Sequence, residues 1–163
     1  MGEVLESWSE FNVAMTGATA ALAGLVIVAA SVNIADIVKA ASLTARLATG
    51  ILGLVLAITG SALGLIPGMA PTAYGVTMIV LALVAMLFAA QASRRIFENR
   101  HPGNRLRPIK AAVGFATPLA YVVGGVLLVA GDSAGFVWFA VGSVLSIGVA
   151  LLVSWIVLVE VLR

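Results

Sequence analysis

The sequence predicts an all-α, polytopic membrane helix bundle with five transmembrane helices. Of its 163 residues, 62% are hydrophobic and only 10% are charged, whereas a soluble domain carries about a quarter charged residues. The charged residues also lie at the ends of long uncharged stretches. Lipid is therefore the expected solvent, and we expect residues 1–163 to form a single transmembrane domain.

The uncharged stretches set the number of helices, because a spanning helix needs about 20 apolar residues. These stretches cover residues 11–35, 47–93, 111–131 and 133–159. The second is long enough for two helices, and the prolines and glycine of residues 67–72 predict a turn between them. Helices are required because lipid offers no partner for backbone polar groups. The predicted spans are 11–35, 46–66, 73–94, 109–130 and 135–160.

The basic residues predict the orientation. Five spans place all nine on one side of the membrane: Lys39, Arg46, Arg94, Arg95, Arg100, Arg105, Arg107, Lys110 and Arg163. The other side carries Glu3, Glu6, Glu10 and Asp132. The positive-inside rule then puts the N-terminus outside and the C-terminus in the cytoplasm. We expect a multi-pass protein of the plasma (cytoplasmic) membrane.

Four aromatic residues fall near the predicted outer boundary: Trp8, Tyr74, Phe136 and Trp138. Aromatic side chains anchor helices at the membrane interface, so we expect these four to lie there.

The second predicted helix carries a stripe of small residues three and four positions apart: Gly50, Gly53, Ala57, Gly60 and Gly64. Such a stripe lets two helix backbones approach closely. It predicts either packing inside one subunit or a seam between subunits. Gly17, Ala21 and Gly24 give the first helix a similar face, so we expect a homo-oligomer.

No charged residue or histidine lies in the middle of a predicted span, which argues against proton pumps, ion-coupled transporters and voltage sensors. A pore built from hydroxyl groups, backbone carbonyls or apolar constrictions stays possible. Thr117 and Tyr121 are polar residues at central depth. Pro118 predicts a kink and frees the carbonyl near Gly114.

Two groups of polar residues are candidate sites on the cytoplasmic side. The first group lies in the loop between the third and fourth predicted spans and at the ends of those spans, and its positive charge accounts for the predicted orientation. These six basic residues are also candidates for contact with lipid head groups: Arg94, Arg95, Arg100, Arg105, Arg107 and Lys110. The second group is a cytoplasmic-end polar cluster of Asn33, Arg46, Glu160 and Arg163. In it, Glu160 is either held by hydrogen-bond donors or reaches into water.

The composition also excludes several kinds of chemistry. There are no cysteines and one histidine, His101, so disulfides, thiol redox chemistry and Cys-ligated metals are excluded. Paired acid and base residues suited to catalysis are absent, and we expect no enzymatic activity, no cofactor and no metal. Nucleic-acid binding lacks a supporting fold.

Two stretches resemble a family of small, uncharacterised bacterial five-helix membrane proteins, some of which are labelled "modulator of FtsH protease". They are residues 18–34, ATAALAGLVIVAASVNI, and residues 154–163, SWIVLVEVLR. The resemblance implies no established activity or ligand. It implies importance for Gly24, Ser31, Asn33, Trp155, Glu160 and Arg163.

Two functions stay open at this point. The first is a homo-oligomeric membrane protein, channel-like or structural, whose partners are the lipid bilayer and further copies of itself. The alternative is an accessory or regulatory subunit of another membrane protein, such as a membrane protease.

Overall fold

The protein is a bundle of long, roughly antiparallel helices. The computed structural model describes residues 6–39, 41–98 and 107–161, and these residues form helices and turns without a β-strand. The helices are α1 (Ser9–Val32), α2 (Ile34–Lys39), α3 (Ala41–Leu63), α4 (Pro71–Glu98), α5 (Arg107–Val129) and α6 (Ala134–Val161).

Five of these helices are long and apolar enough to cross a membrane: α1, α3, α4, α5 and α6. The outside of the bundle carries many large apolar side chains, among them Leu25 and Trp155, each 68% exposed. An apolar exterior of this kind suits lipid and not water. The chain is therefore a multi-pass integral membrane protein, as predicted.

Helices α3, α4, α5 and α6 form a closed ring in which each packs against the next and α6 packs back on α3. Helix α1 lies outside the ring, mainly against α3. Its buried side is narrow and includes Met15, Thr19, Ala23 and Val26. Most of the surface of α1 is therefore left for lipid or for another protein.

The ring is tight where glycines meet. A Cβ added to Gly75 of α4 would lie 2.7 Å from the Gly125 carbonyl oxygen of α5. A Cβ on Gly124 would lie 2.6 Å from the Phe139 ring of α6. The two backbones approach here as small residues permit in membrane helices. The sequence-based prediction did not single out Gly124 and Gly125 of α5.

The turn between α5 and α6 is specified by two residues. Gly131 has a φ of +86°, and the amide groups of Gly131 and Asp132 donate to the carbonyls of Leu128 and Leu127. This is the Schellman ending of a helix, which favours glycine. The Asp132 carboxylate then accepts a hydrogen bond from the Ala134 amide at 2.9 Å and caps α6.

The predicted spans agree with the helices except near residues 33–46. The first span ends at Asn33 and not at Ala35, because Asn33 leaves helical geometry. Its side-chain Nδ2 donates to the Ala29 carbonyl at 3.3 Å. The short α2 follows, which was not predicted. Helix α3 then begins at Ala41, so Arg46 lies inside a helix and not at its boundary.

Candidate functional site

The small-residue stripe of α3 packs against other helices of the same chain. All five members, Gly50, Gly53, Ala57, Gly60 and Gly64, are buried. A Cβ added to Gly50 would lie near Val153 of α6, and one added to Gly53 near Ser146 of α6. A Cβ on Gly60 would lie near Met78 of α4, and one on Gly64 near Asn12 of α1. The stripe is therefore used for helix packing within one chain.

Opposite ends of the bundle differ in charge, and we name them accordingly. The basic end carries Lys39, Arg94 and Arg95, and the acidic end carries Glu6, Glu10 and Asp132.

A cluster of polar groups lies near the acidic end, where α1 meets the ring. The Tyr74 hydroxyl donates to the Gly60 carbonyl at 2.7 Å. The hydroxyls of Tyr121 and Ser143 share a hydrogen bond of 2.8 Å. These groups and Asn12 line a cavity of about 10 Å³, roughly the space one water molecule needs.

A second cavity of about 10 Å³ lies near the middle of the bundle, between α3, α4, α5 and α6. Thr117 lines it and is 2% exposed, and its hydroxyl has no hydrogen-bond partner among the described residues. Gly114 lines the same cavity, and its carbonyl lacks the usual helical donor because Pro118 has no N–H. A buried hydroxyl without a partner and a carbonyl without its helical donor, side by side on one cavity, are suited to holding a water molecule.

A third cavity, of about 30 Å³, lies toward the basic end and is lined by Arg46, Thr49 and Ser93. Arg46 is only 8% exposed, which places a positive charge inside the bundle. Thr49 and Gly114 line both this cavity and the central one. The two cavities are therefore neighbours on one line along the interior.

The line of cavities is closed between the central cavity and the acidic end. Leu56 lines the central cavity and packs in one core cluster with Met78 and Tyr121. Met78 and Tyr121 are fully buried. An apolar constriction therefore separates two polar regions.

Only two members of the predicted cytoplasmic-end cluster, Asn33 and Arg46, have side chains among the described residues. Asn33 lines a small cavity of about 10 Å³ with Ser154 and Val157 of α6. Arg46 lines a different cavity, with Val149 and Val153. The Glu160 side chain and Arg163 lie outside the described residues, so the cluster stays a prediction.

The predicted lipid-contact residues are likewise partly described. Arg94 and Arg95 are exposed near the end of α4. Arg100 and Arg105 lie outside the described residues, as do the side chains of Arg107 and Lys110 at the start of α5.

Two of the four predicted interfacial aromatics have another role. Tyr74 and Phe136 are buried and, with Phe139, form an aromatic cluster in which the Tyr74 and Phe139 ring centroids are 4.9 Å apart. Trp138 is exposed as expected. Sequence position gives depth in the membrane but not the direction a side chain faces, which explains the error.

Within the described ranges, no three His, Cys, Asp or Glu side chains lie close enough together to hold a metal ion. Comparison of the chain with protein-family models, with curated proteins and with solved structures finds no match. The resemblance to the small five-helix bacterial family stays a prediction.

Proposed function

We propose that this protein is a non-enzymatic, channel-like protein of the plasma membrane, with its basic end in the cytoplasm. Its path would run inside the ring of α3, α4, α5 and α6. The observation that carries the proposal is the unpartnered, buried Thr117 hydroxyl beside the central cavity. A pore can use hydroxyls, freed carbonyls and apolar constrictions, and all three occur here on one line.

The permeant would be water or a solute of similar size without charge. The cavities hold about 10 to 30 Å³, which suits one or two water molecules. Arg46 places a positive charge at the entrance on the basic side, and a fixed cation of this kind opposes the entry of cations. The apolar constriction at Leu56 would limit the rate of passage along such a path.

Self-association is the second part of the proposal. Gly17 and Gly24 are exposed on α1, and a Cβ on either would meet nothing within 4 Å. A flat, small-residue face suits close packing against another helix in lipid. The same face would serve the alternative function, in which the chain is an accessory subunit of another membrane protein.

The proposal is tested by osmotic shrinkage of liposomes that contain the purified protein. We expect water permeability above that of protein-free liposomes, and no potassium conductance above background. Light scattering of the purified protein gives its stoichiometry, for which we expect more than one chain per particle. Permeability equal to that of empty liposomes, with a monomer, would favour the accessory subunit.

A further inference from the structure

A lateral groove opens between α3 and α4 at the basic end, outside the line of internal cavities. Its free volume is about 390 Å³, which is within the range of roughly 300–1,000 Å³ that small-molecule sites occupy. The α3 wall is made of small residues, Ala41, Ala45 and Ala48, which leave the space open. The α4 wall is made of larger ones, among them Phe88, Gln91 and Arg95.

The polarity of the groove changes along α4. Phe88, Gln91 and Arg95 follow one another at about one turn each on the same wall, so the wall passes from aromatic to amide to cation over about 10 Å. A phospholipid has the same order of groups, from acyl chain through the ester region to the phosphate. The depth also fits, because the basic residues of a spanning helix lie at head-group level.

The charge at the basic end of the groove favours an anion. Arg95 is exposed and makes no ion pair or hydrogen bond with any described residue. No acidic residue is among the described residues that line the groove, and Asp36 of α2 is paired with Lys39 at 2.7 Å. A positive charge at the mouth of an intramembrane groove is the arrangement that binds anionic lipid head groups.

We propose that this groove is a specific binding site for one anionic phospholipid, with its phosphate at Arg95 and an acyl chain along Phe88 and the alanines of α3. The apolar wall separates this occupant from a free phosphate ion, which would use only the Arg95 end. The proposal is independent of solute passage through the ring.

The chain offers a matched control for the charge. Arg94 and Arg95 are adjacent and both exposed, but only Arg95 lines the groove. Arg95→Gln should lower the retention of phosphatidylglycerol about fivefold, the effect of one basic residue on anionic-lipid binding. Arg94→Gln should change it less than about twofold. Retention is measured by native mass spectrometry after titration of the delipidated protein with phosphatidylglycerol.

A second pair of variants tests the shape. Ala48→Phe should fill the groove and reduce retention as Arg95→Gln does, whereas Ala62→Phe places the same side chain on an exposed position of α3 away from it. Equal effects of Arg94→Gln and Arg95→Gln, or full retention in Ala48→Phe, would overturn the proposal. Displacement of the lipid by millimolar inorganic phosphate would assign the site to a free anion and would overturn it as well.

Discussion

Individual side chains hold the interior of the ring together through a few buried hydrogen bonds. The Tyr121–Ser143 bond of 2.8 Å joins α5 to α6, and the Tyr74–Gly60 bond of 2.7 Å joins α4 to α3. Inside the bundle, a hydroxyl that loses its partner can turn only to the water-sized cavity beside it and not to bulk water. Such groups are costly to leave unsatisfied, so these pairs fix the rotation of the helices about their axes.

Tyr121→Phe should therefore lower the thermal stability of the protein in detergent, by about 1–2 kcal/mol, because Ser143 loses its side-chain partner. Ser143→Ala in the same background should restore part of the loss, since it removes the orphaned hydroxyl. The two single variants and the double variant form a cycle that isolates the pair. Strict additivity of the two losses would show that the hydroxyls do not interact.

Two glycines make a matched pair for close packing. Gly75→Ala should destabilise the fold by about 1–3 kcal/mol, because the added Cβ would lie 2.7 Å from the Gly125 carbonyl oxygen. Gly148→Ala adds the same methyl group in open space on α6 and should be neutral or slightly stabilising, since alanine favours helix. The comparison uses melting temperatures in one detergent, and equal shifts would contradict the packing account.

At the scale of the helix, the number and approximate length of the spanning helices could be predicted from the sequence. The direction in which each side chain faces could not. The uncharged stretches located all five spanning helices, because hydrocarbon thickness dictates their length. They do not reveal that α3 begins before Arg46, since a charged residue usually marks the end of an uncharged span. They also placed Tyr74 at the interface, because a helix that is apolar all round does not show which face is buried.

Individual residues of the candidate site could be predicted from the sequence, but their arrangement could not. Thr117, Tyr121 and Pro118 were identified from their depth in the spans, but their convergence on one line required the ring arrangement. The glycines at positions 124, 125 and 135 were missed, although a small-residue pattern on α5 and α6 could have indicated them. The α3 stripe was predicted, and the structure places it inside one chain.

The predicted hydrogen bonding of Glu160, near the C-terminal end of α6, is not tested by the described residues. Arg46 is buried beside Val153, and Glu160 lies two turns farther along the same helix. We expect Glu160→Gln to lower thermal stability in detergent, because it leaves a buried donor or charge poorly matched. Val159→Gln, next to it, serves as a control for polarity at this depth. Unchanged melting of Glu160→Gln would mean that Glu160 reaches into water.

For the whole molecule, the proposed orientation puts the basic end in the cytoplasm, and it rests on the charge asymmetry between the two ends. The chain contains no cysteine, so single cysteines can be introduced directly. In intact cells, an impermeant thiol reagent should label Asp132→Cys and leave Lys39→Cys unlabelled until the membrane is opened. Labelling of Lys39→Cys from outside would contradict the proposed orientation.

The central functional claim is that the path lies inside the ring and not between subunits, and one set of permeability measurements tests it. Leu56→Ala opens the constriction, whereas Leu54→Ala makes the same change in a buried cluster with Ala23 and Val26, away from the cavities. We expect faster osmotic shrinkage of liposomes with Leu56→Ala than with wild-type protein, and no increase with Leu54→Ala. Equal permeability of all three, together with a change in Gly24→Leu on the exposed face of α1, would contradict the claim and place the path between chains.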